Sequence, residues 1–350
     1  MCRPTKKLVA LLLVGVSVCM ALIVMYVWYT DVKLEEVLNP EESMPERDAD
    51  VPGYIYMSAS DPSVGHFSVD TYAYEVSTGE VRRLTDYGNY SGFASVDETR
   101  GLFMTTDSTY PMEHPDNAVL IVANISDGTY LNLNTPSLYN ERKLTASPDE
   151  QHIAFMGQEV VNTGRDISTW QIMLTNVLEG TSVTIPSAVS PQWINQGEDV
   201  LFLKEDGIYV YNLKQKIEKK VFGEYINFSA YSEIAISPDE EHIVLTAPGV
   251  ESRAIVLKVD TGLNMIEIGS YIESEFLYIS PIISPDSLQY GFLLLDKKDI
   301  DLPAVLELYS FATGEAIRKV SLDMFSIDHL ELNDWSNTFL LDTATMNDRR

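Results

Sequence analysis

Five histidines are the residues best equipped for chemistry in this chain of 350: His66, His114, His152, His242 and His329. A metal or acid–base site needs such imidazoles brought within bonding reach of carboxylates or of one another. His66 and His114 fall in loop-like stretches, the second beside Glu113 and Asp116, but no ligand spacing joins them. His152 and His242 each stand three residues after an Asp in a recurring Ser-Pro-Asp sequence, where a polar residue leading into a strand is expected. The chain has no Asp-x-Asp-x-Asp-Gly calcium loop, P-loop, dinucleotide fingerprint, zincin motif or nucleophile elbow. No residue is therefore assigned a catalytic, cofactor-binding or metal-binding role, and no cofactor is expected.

The Ser-Pro-Asp sequence has a structural use instead. Pro presets φ at about −65° for a tight turn, and the Ser hydroxyl and Asp carboxylate can accept from backbone N–H groups that no strand satisfies. Copies stand at Ser95-Val96-Asp97, Ser147-Pro148-Asp149, Ser190-Pro191-Gln192, Ser237-Pro238-Asp239 and Ser284-Pro285-Asp286. In four of them an apolar anchor follows eight residues after the Ser, at Phe103, Phe155, Leu245 and Phe292; the third copy carries four extra residues around Trp193 to Gly197 before Phe202. With two degenerate members, Tyr56 and Phe339, the anchors are spaced by 47, 52, 47, 43, 47 and 47 residues. A repeat of that length in a strand-rich chain signals a propeller.

Between anchors lie further strand-like runs with alternating Tyr, Val, Ile and Leu. Examples are 71–76 and 81–85, 208–213 and 217–222, 254–259 and 265–269, and 304–311 and 316–320. Most pairs are separated by Gly-containing turns, as half-buried antiparallel strands require. No segment of the body shows a sustained helical period. The expected fold is an all-β propeller of four-stranded blades over residues 53–350, six-bladed with seven as the alternative, the C-terminal segment 329–343 pairing with the N-terminal strands.

These features resemble the TolB-type (WD40-like) β-propeller repeat. Ser147-Pro148-Asp149-Glu150 and Ser237-Pro238-Asp239-Glu240 match its turn with Glu in the Gly position, while Arg83-Leu84-Thr85 and Lys143-Leu144-Thr145 look like its closing strand. The resemblance covers about residues 53 to 345 and implies a fold, not an activity. The α/β domain of TolB has no counterpart here, so the resemblance does not bring a role in the Tol-Pal system. The layout also resembles the propeller part of the dipeptidyl peptidase family, without its Ser-Asp-His hydrolase domain, so prolyl peptidase activity is not expected.

The N-terminus reads as a membrane anchor. Residues 8–29 form an uncharged apolar run that as a helix would rise about 33 Å, enough to span a bilayer core. Arg3, Lys6 and Lys7 precede it, and Tyr26, Trp28 and Tyr29 close it. The positive-inside rule then puts residues 1–7 in the cytoplasm and the propeller outside, periplasmic or on the cell surface. The bulky aromatics at the end of the run disfavour a cleaved signal, and Val18 before Cys19 disfavours a lipid anchor. Residues 30–52 hold eight acids against Lys33 and Arg47, with three prolines, and read as a solvated linker. Cys2 and Cys19 are the only cysteines, so the rest of the chain has no disulfide and must rely on the size of its core.

The formal charge of −28, from 24 Lys+Arg against 52 Asp+Glu, excludes general phosphate-backbone binding and nucleic acid with it. Setting aside the three N-terminal cations leaves −31 on the remainder, a field that favours basic partners or simply maintains solubility. The function expected from sequence is a membrane-anchored, extracytoplasmic, non-enzymatic module that binds or scaffolds a protein or peptide. The alternative is a propeller hydrolase or lyase with an acidic, metal-assisted site in its central channel.

Overall fold

The computed structural model describes residues 53–60, 69–84, 90–95, 100–106, 118–124, 130–133, 139–158, 169–177, 179–223, 228–229, 231–249, 251–299 and 302–336. Within its strands, the side chains of residues 90–142, 326–329 and 334–336 lie outside that description.

Alternating apolar residues and tight turns give antiparallel strands throughout, and the described strands group into six four-stranded sheets. The first takes β1 (Tyr54–Ser60), β2 (Val69–Glu75) and β3 (Val81–Arg83) from the start of the propeller. The second is β4 (Tyr90–Ser95), β5 (Arg100–Thr106), β6 (Ala118–Asn124) and β7 (Tyr130–Leu133). The third is β8 (Tyr139–Ala146), β9 (His152–Gln158), β10 (Trp170–Asn176) and β11 (Ser182–Pro186). The fourth is β12 (Val189–Ile194), β13 (Asp199–Lys204), β14 (Gly207–Asn212) and β15 (Ile217–Phe222). The fifth is β16 (Glu233–Ile236), β17 (His242–Ala247), β18 (Ser252–Val259) and β19 (Met265–Glu273). The sixth is β20 (Phe276–Ile283), β21 (Gln289–Asp296), β22 (Val305–Ser310) and β23 (Ala316–Ser321). Five sheets are thus runs of four consecutive strands. The first is completed from the far end of the chain by β24 (Ser326–Ser336), which pairs antiparallel with β1.

The leading strand of each sheet packs on the leading strand of the next: β24 on β4, then β8, β12, β16 and β20, which returns to β24. That closed circuit surrounds the propeller axis. Six of the seven anchors occupy the second strands of the six sheets, Phe339 lying outside the described residues, and Tyr56, Phe155, Phe202, Leu245 and Phe292 are completely buried. Phe202, Leu245 and Phe292 help fill clusters between sheets. One joins Met156, Ile172 and Leu174 to Phe202 and Ile208 and on to Leu245 and Leu257. Another joins Ile55, Met57 and Tyr74 to Leu293, Leu306 and Leu308. At about 1.5–3 kcal/mol for each large apolar side chain buried, these inter-sheet layers are the main favourable term in the fold.

Among the described residues no helix is long and apolar enough to cross a membrane. The span expected over 8–29 lies outside them, as does the linker over 30–52. The fold described is all-β, and the expectation of a propeller preceded by a transmembrane signal-anchor is corrected accordingly. The membrane partner, the single-pass topology and the periplasmic or cell-surface location rested on that helix and are set aside with it.

Candidate functional site

Three charged side chains from three different sheets meet at the axis. Lys143 of β8 places its Nζ 2.9 Å from Glu233 Oε2 of β16 and 2.9 Å from Glu331 Oε1 of β24. In the circuit β24, β4, β8, β12, β16, β20 these are alternate strands, so the three residues approach from directions about a third of a turn apart. Their backbones also stand at one level. Glu233 pairs with Thr246, one residue beyond the anchor Leu245; Glu331 pairs with Ser58, two beyond Tyr56; and Lys143 follows Arg142, which pairs with Met156, one beyond Phe155. Their side chains are 13%, 17% and 19% exposed.

The leading strands are shaped for this convergence. Lys143, Ser190 and Ser280 all have positive φ, at 51°, 54° and 48°. Each sits where the register of β8, β12 or β20 shifts against its neighbour. Such bulges bend a strand and re-aim its groups, at a cost of order 1–3 kcal/mol for a non-Gly residue held in this region. The re-aimed groups are used: the Ser280 N–H donates to the Glu233 carboxylate, and Ser190 Oγ accepts from the Ile234 N–H at 2.8 Å.

Burial alone would discharge Lys143, but the Glu233 and Glu331 carboxylates outweigh it and hold the ammonium above its ordinary value. Glu233 is pushed above the usual carboxylate range, first by burial and then by the like charge of Glu331; Lys143 and the Ser280 N–H pull the other way without prevailing. The cluster thus has one cation for two carboxylates and one carboxyl inclined to keep its proton.

A second constellation lies between the fifth and sixth sheets. Glu307, 5% exposed, accepts from the Tyr309 hydroxyl and pairs with Lys319 at the surface. Tyr278, Tyr290, Phe292 and Phe311 pack around Tyr309 and one another. The Tyr271 hydroxyl donates to Gly314 O at 3.0 Å and receives from Tyr290 at 2.6 Å. Burial, and then the Glu307 charge, push the Tyr309 phenol far up, so it remains a hydrogen-bond donor. This is a satisfied, filled core network rather than an open site.

The repeat-turn residues are divided. Ser147 Oγ accepts from the His152 N–H at 2.9 Å and donates to Asp149, which accepts from the Gln151 N–H at 3.0 Å. Ser237 with Asp239, and Ser284 with Asp286, repeat the arrangement at the two later turns, Pro148, Pro238 and Pro285 lying between them. Ser190 and Pro191 lie instead inside β12, and the turn of that sheet is the short 3-10 segment Asn195–Gly197. Asp97 lies outside the described residues, as do His66, His114 and the side chain of His329. His152 packs against Trp193 with ring centroids 5.9 Å apart, and His242 stacks on Phe311 at 4.4 Å, each bridging two sheets. Lys143-Leu144-Thr145, matched to a closing outer strand, is part of a leading strand. Among the described residues no three His, Cys, Asp or Glu side chains are grouped to hold a metal ion.

The sequence reading passed over Glu233 and Glu331 and took Lys143 for a strand-closing residue. A signal existed: Lys143 and Glu233 both stand four residues before the Ser of their turn, and Ser280 holds the same offset from Ser284.

No family model and no curated protein matches the sequence. Solved structures do match in shape. TolB from Acinetobacter baumannii superposes with a TM-score of 0.57 at 14% identity, over 86% of this chain and 69% of that one. A putative TolB from Agrobacterium tumefaciens gives 0.51 at 14% identity, over 78% and 91%. The chain has a TolB-like β-propeller fold. At that identity the TolB-like likeness concerns architecture, and the chemistry has to be argued from this chain's own residues.

Proposed function

We propose that this TolB-like propeller is a recognition module for a positively charged ligand, with its axis closed by its own ion cluster. The observation that carries the reading is the commitment of both axial carboxylates to Lys143. An acid–base enzyme would need at least one of them free to approach a substrate proton. Here both carboxyls lie 2.9 Å from the one Lys143 ammonium and are less than a fifth exposed, so neither is open to a substrate, which supports binding over chemistry at the axis. The formal charge of −28 supports the sign of the ligand, since such a field concentrates cations and repels anions. The expectation of a membrane-anchored envelope scaffold is not retained, because nothing described supports the anchor.

The test is calorimetric titration of the full chain with a short lysine oligomer and, separately, a glutamate oligomer of equal length. The reading predicts saturable binding of the cationic oligomer with defined stoichiometry, weakened by salt, and no binding of the anionic one. Non-saturating uptake of the lysine oligomer, or equal response to both, overturns it.

A further inference from the structure

We infer that the axial cluster of Lys143, Glu233 and Glu331 holds one exchangeable proton, and that losing it loosens the centre of the ring. Two carboxylates and one ammonium, each less than a fifth exposed, leave one negative charge uncompensated if all three are ionised. Removing a charge from water costs several kcal/mol unless it is paired, so the cluster favours the form in which one carboxyl keeps its proton. Lys143 then pairs with one carboxylate while the other is a neutral acid able to donate a hydrogen bond. Glu233 is the better holder of the proton, being the carboxyl that burial and Glu331 together push up. When the proton leaves to solvent, two like charges remain against one cation, and the strands carrying them belong to alternate blades. Relief requires those strands to part or water to come between them.

The side chain of Arg142, next to Lys143 on β8, lies outside the described residues, and the described side chains of the leading strands supply no second cation. Among the described side chains of β8, β12, β16, β20 and β24, Lys143, Glu233 and Glu331 are the only charged ones. The Ser280 N–H is the backbone donor aimed at Glu233. His329, two residues from Glu331 on β24, is the histidine of that strand and is separated by experiment.

The sign follows from linkage. A carboxyl that holds its proton more tightly folded than unfolded contributes stability in full below its unfolded value of 4.5 and loses it as pH rises through its higher folded value. Lys143, also raised, acts in the same direction, but only above its unfolded value of 10.5.

Urea unfolding of the full chain from about pH 5 to about pH 9 tests the inference in wild type, Glu233→Gln and His329→Gln. The wild-type midpoint should fall as pH rises, Glu233→Gln should abolish the fall and exceed wild type at the alkaline end, and His329→Gln should keep it. Should Glu233→Gln not fold, Glu331→Gln leaves the same one-to-one pairing and should flatten the profile likewise. Infrared spectra of wild type need no variant and should show a protonated carboxyl that disappears over the same pH range. A flat wild-type profile, a fall that survives both glutamine variants, or its loss in His329→Gln alone would overturn the inference.

Discussion

Ser237 shows how much one hydroxyl does in this chain. It is 1% exposed, accepts from the His242 N–H at 2.9 Å and donates to Asp239, so the turn and the start of β17 both depend on it. Ser237→Ala leaves that N–H without its partner, and urea denaturation should show a loss of about 1–3 kcal/mol. Asp239 belongs to the same unit. Burial works against its charge, but the Ser237 hydroxyl, the Glu241 N–H and His242 outweigh burial and hold the carboxyl below its ordinary value. Its contribution is therefore present above its unfolded value of 3.8 and is lost as pH falls through its folded value. His242 is lowered from 6.5 by burial, with Lys258 adding to it against Asp239 and Glu241. A lowered base contributes above its unfolded value and loses that contribution as pH falls, opposite in sign to Glu233. In acid titrations followed by near-ultraviolet circular dichroism, His242→Gln should remove the loss that begins below about pH 6.5 while leaving the later carboxylate limb. An unchanged acid profile would mean that the stacked imidazole is not the titrating group.

The strands make their own demands, most visibly at Gly291 in β21. A Cβ built there would lie 2.6 Å from Leu308 Cδ2 and 2.7 Å from Glu307 O, and the latter is backbone of the paired strand β22. Gly291→Ala must push β21 and β22 apart, and a loss of about 1–3 kcal/mol in thermal or urea unfolding is expected. Strand-level features of this kind explain what the sequence disclosed. The second strands of the third, fifth and sixth blades were legible because their anchors Phe155, Leu245 and Phe292 are wholly buried and follow turns whose Ser and Asp serve local backbone groups. The outer pairs were legible from alternation and Gly turns, with β15 matching residues 217–222. The leading strands were not. Their polar residues face an axis that exists only once the ring has closed, so Lys143 resembled a strand end and Glu233 did not stand out. Ser190-Pro191 misled for the converse reason: it copies the turn's first two residues within a bulged strand, where Ser190 serves Ile234 in the next blade rather than its own turn.

Over the whole molecule, closure is achieved twice, once by covalently distant strands and once by charge. β24 pairs with β1, so residues separated by nearly the whole propeller share one sheet, and Asn333 Nδ2 donates to Ser58 Oγ at 2.7 Å across that seam. Inside the circuit, Lys143, Glu233 and Glu331 tie three alternate blades at one level. The composition indicated a strongly acidic chain, but not that two of its acids would be held at the axis by a lysine. The most direct test of this arrangement is whether the cost of losing Lys143 depends on the two glutamates. Lys143→Met should be introduced into wild type and into the Glu233→Gln/Glu331→Gln background, with stability measured by urea unfolding. In wild type it strands two carboxylates and should cost about 3–5 kcal/mol, whereas in the double-glutamine background it removes an unpaired buried ammonium and should cost nothing or stabilise. Equal costs in both backgrounds would contradict the axial cluster.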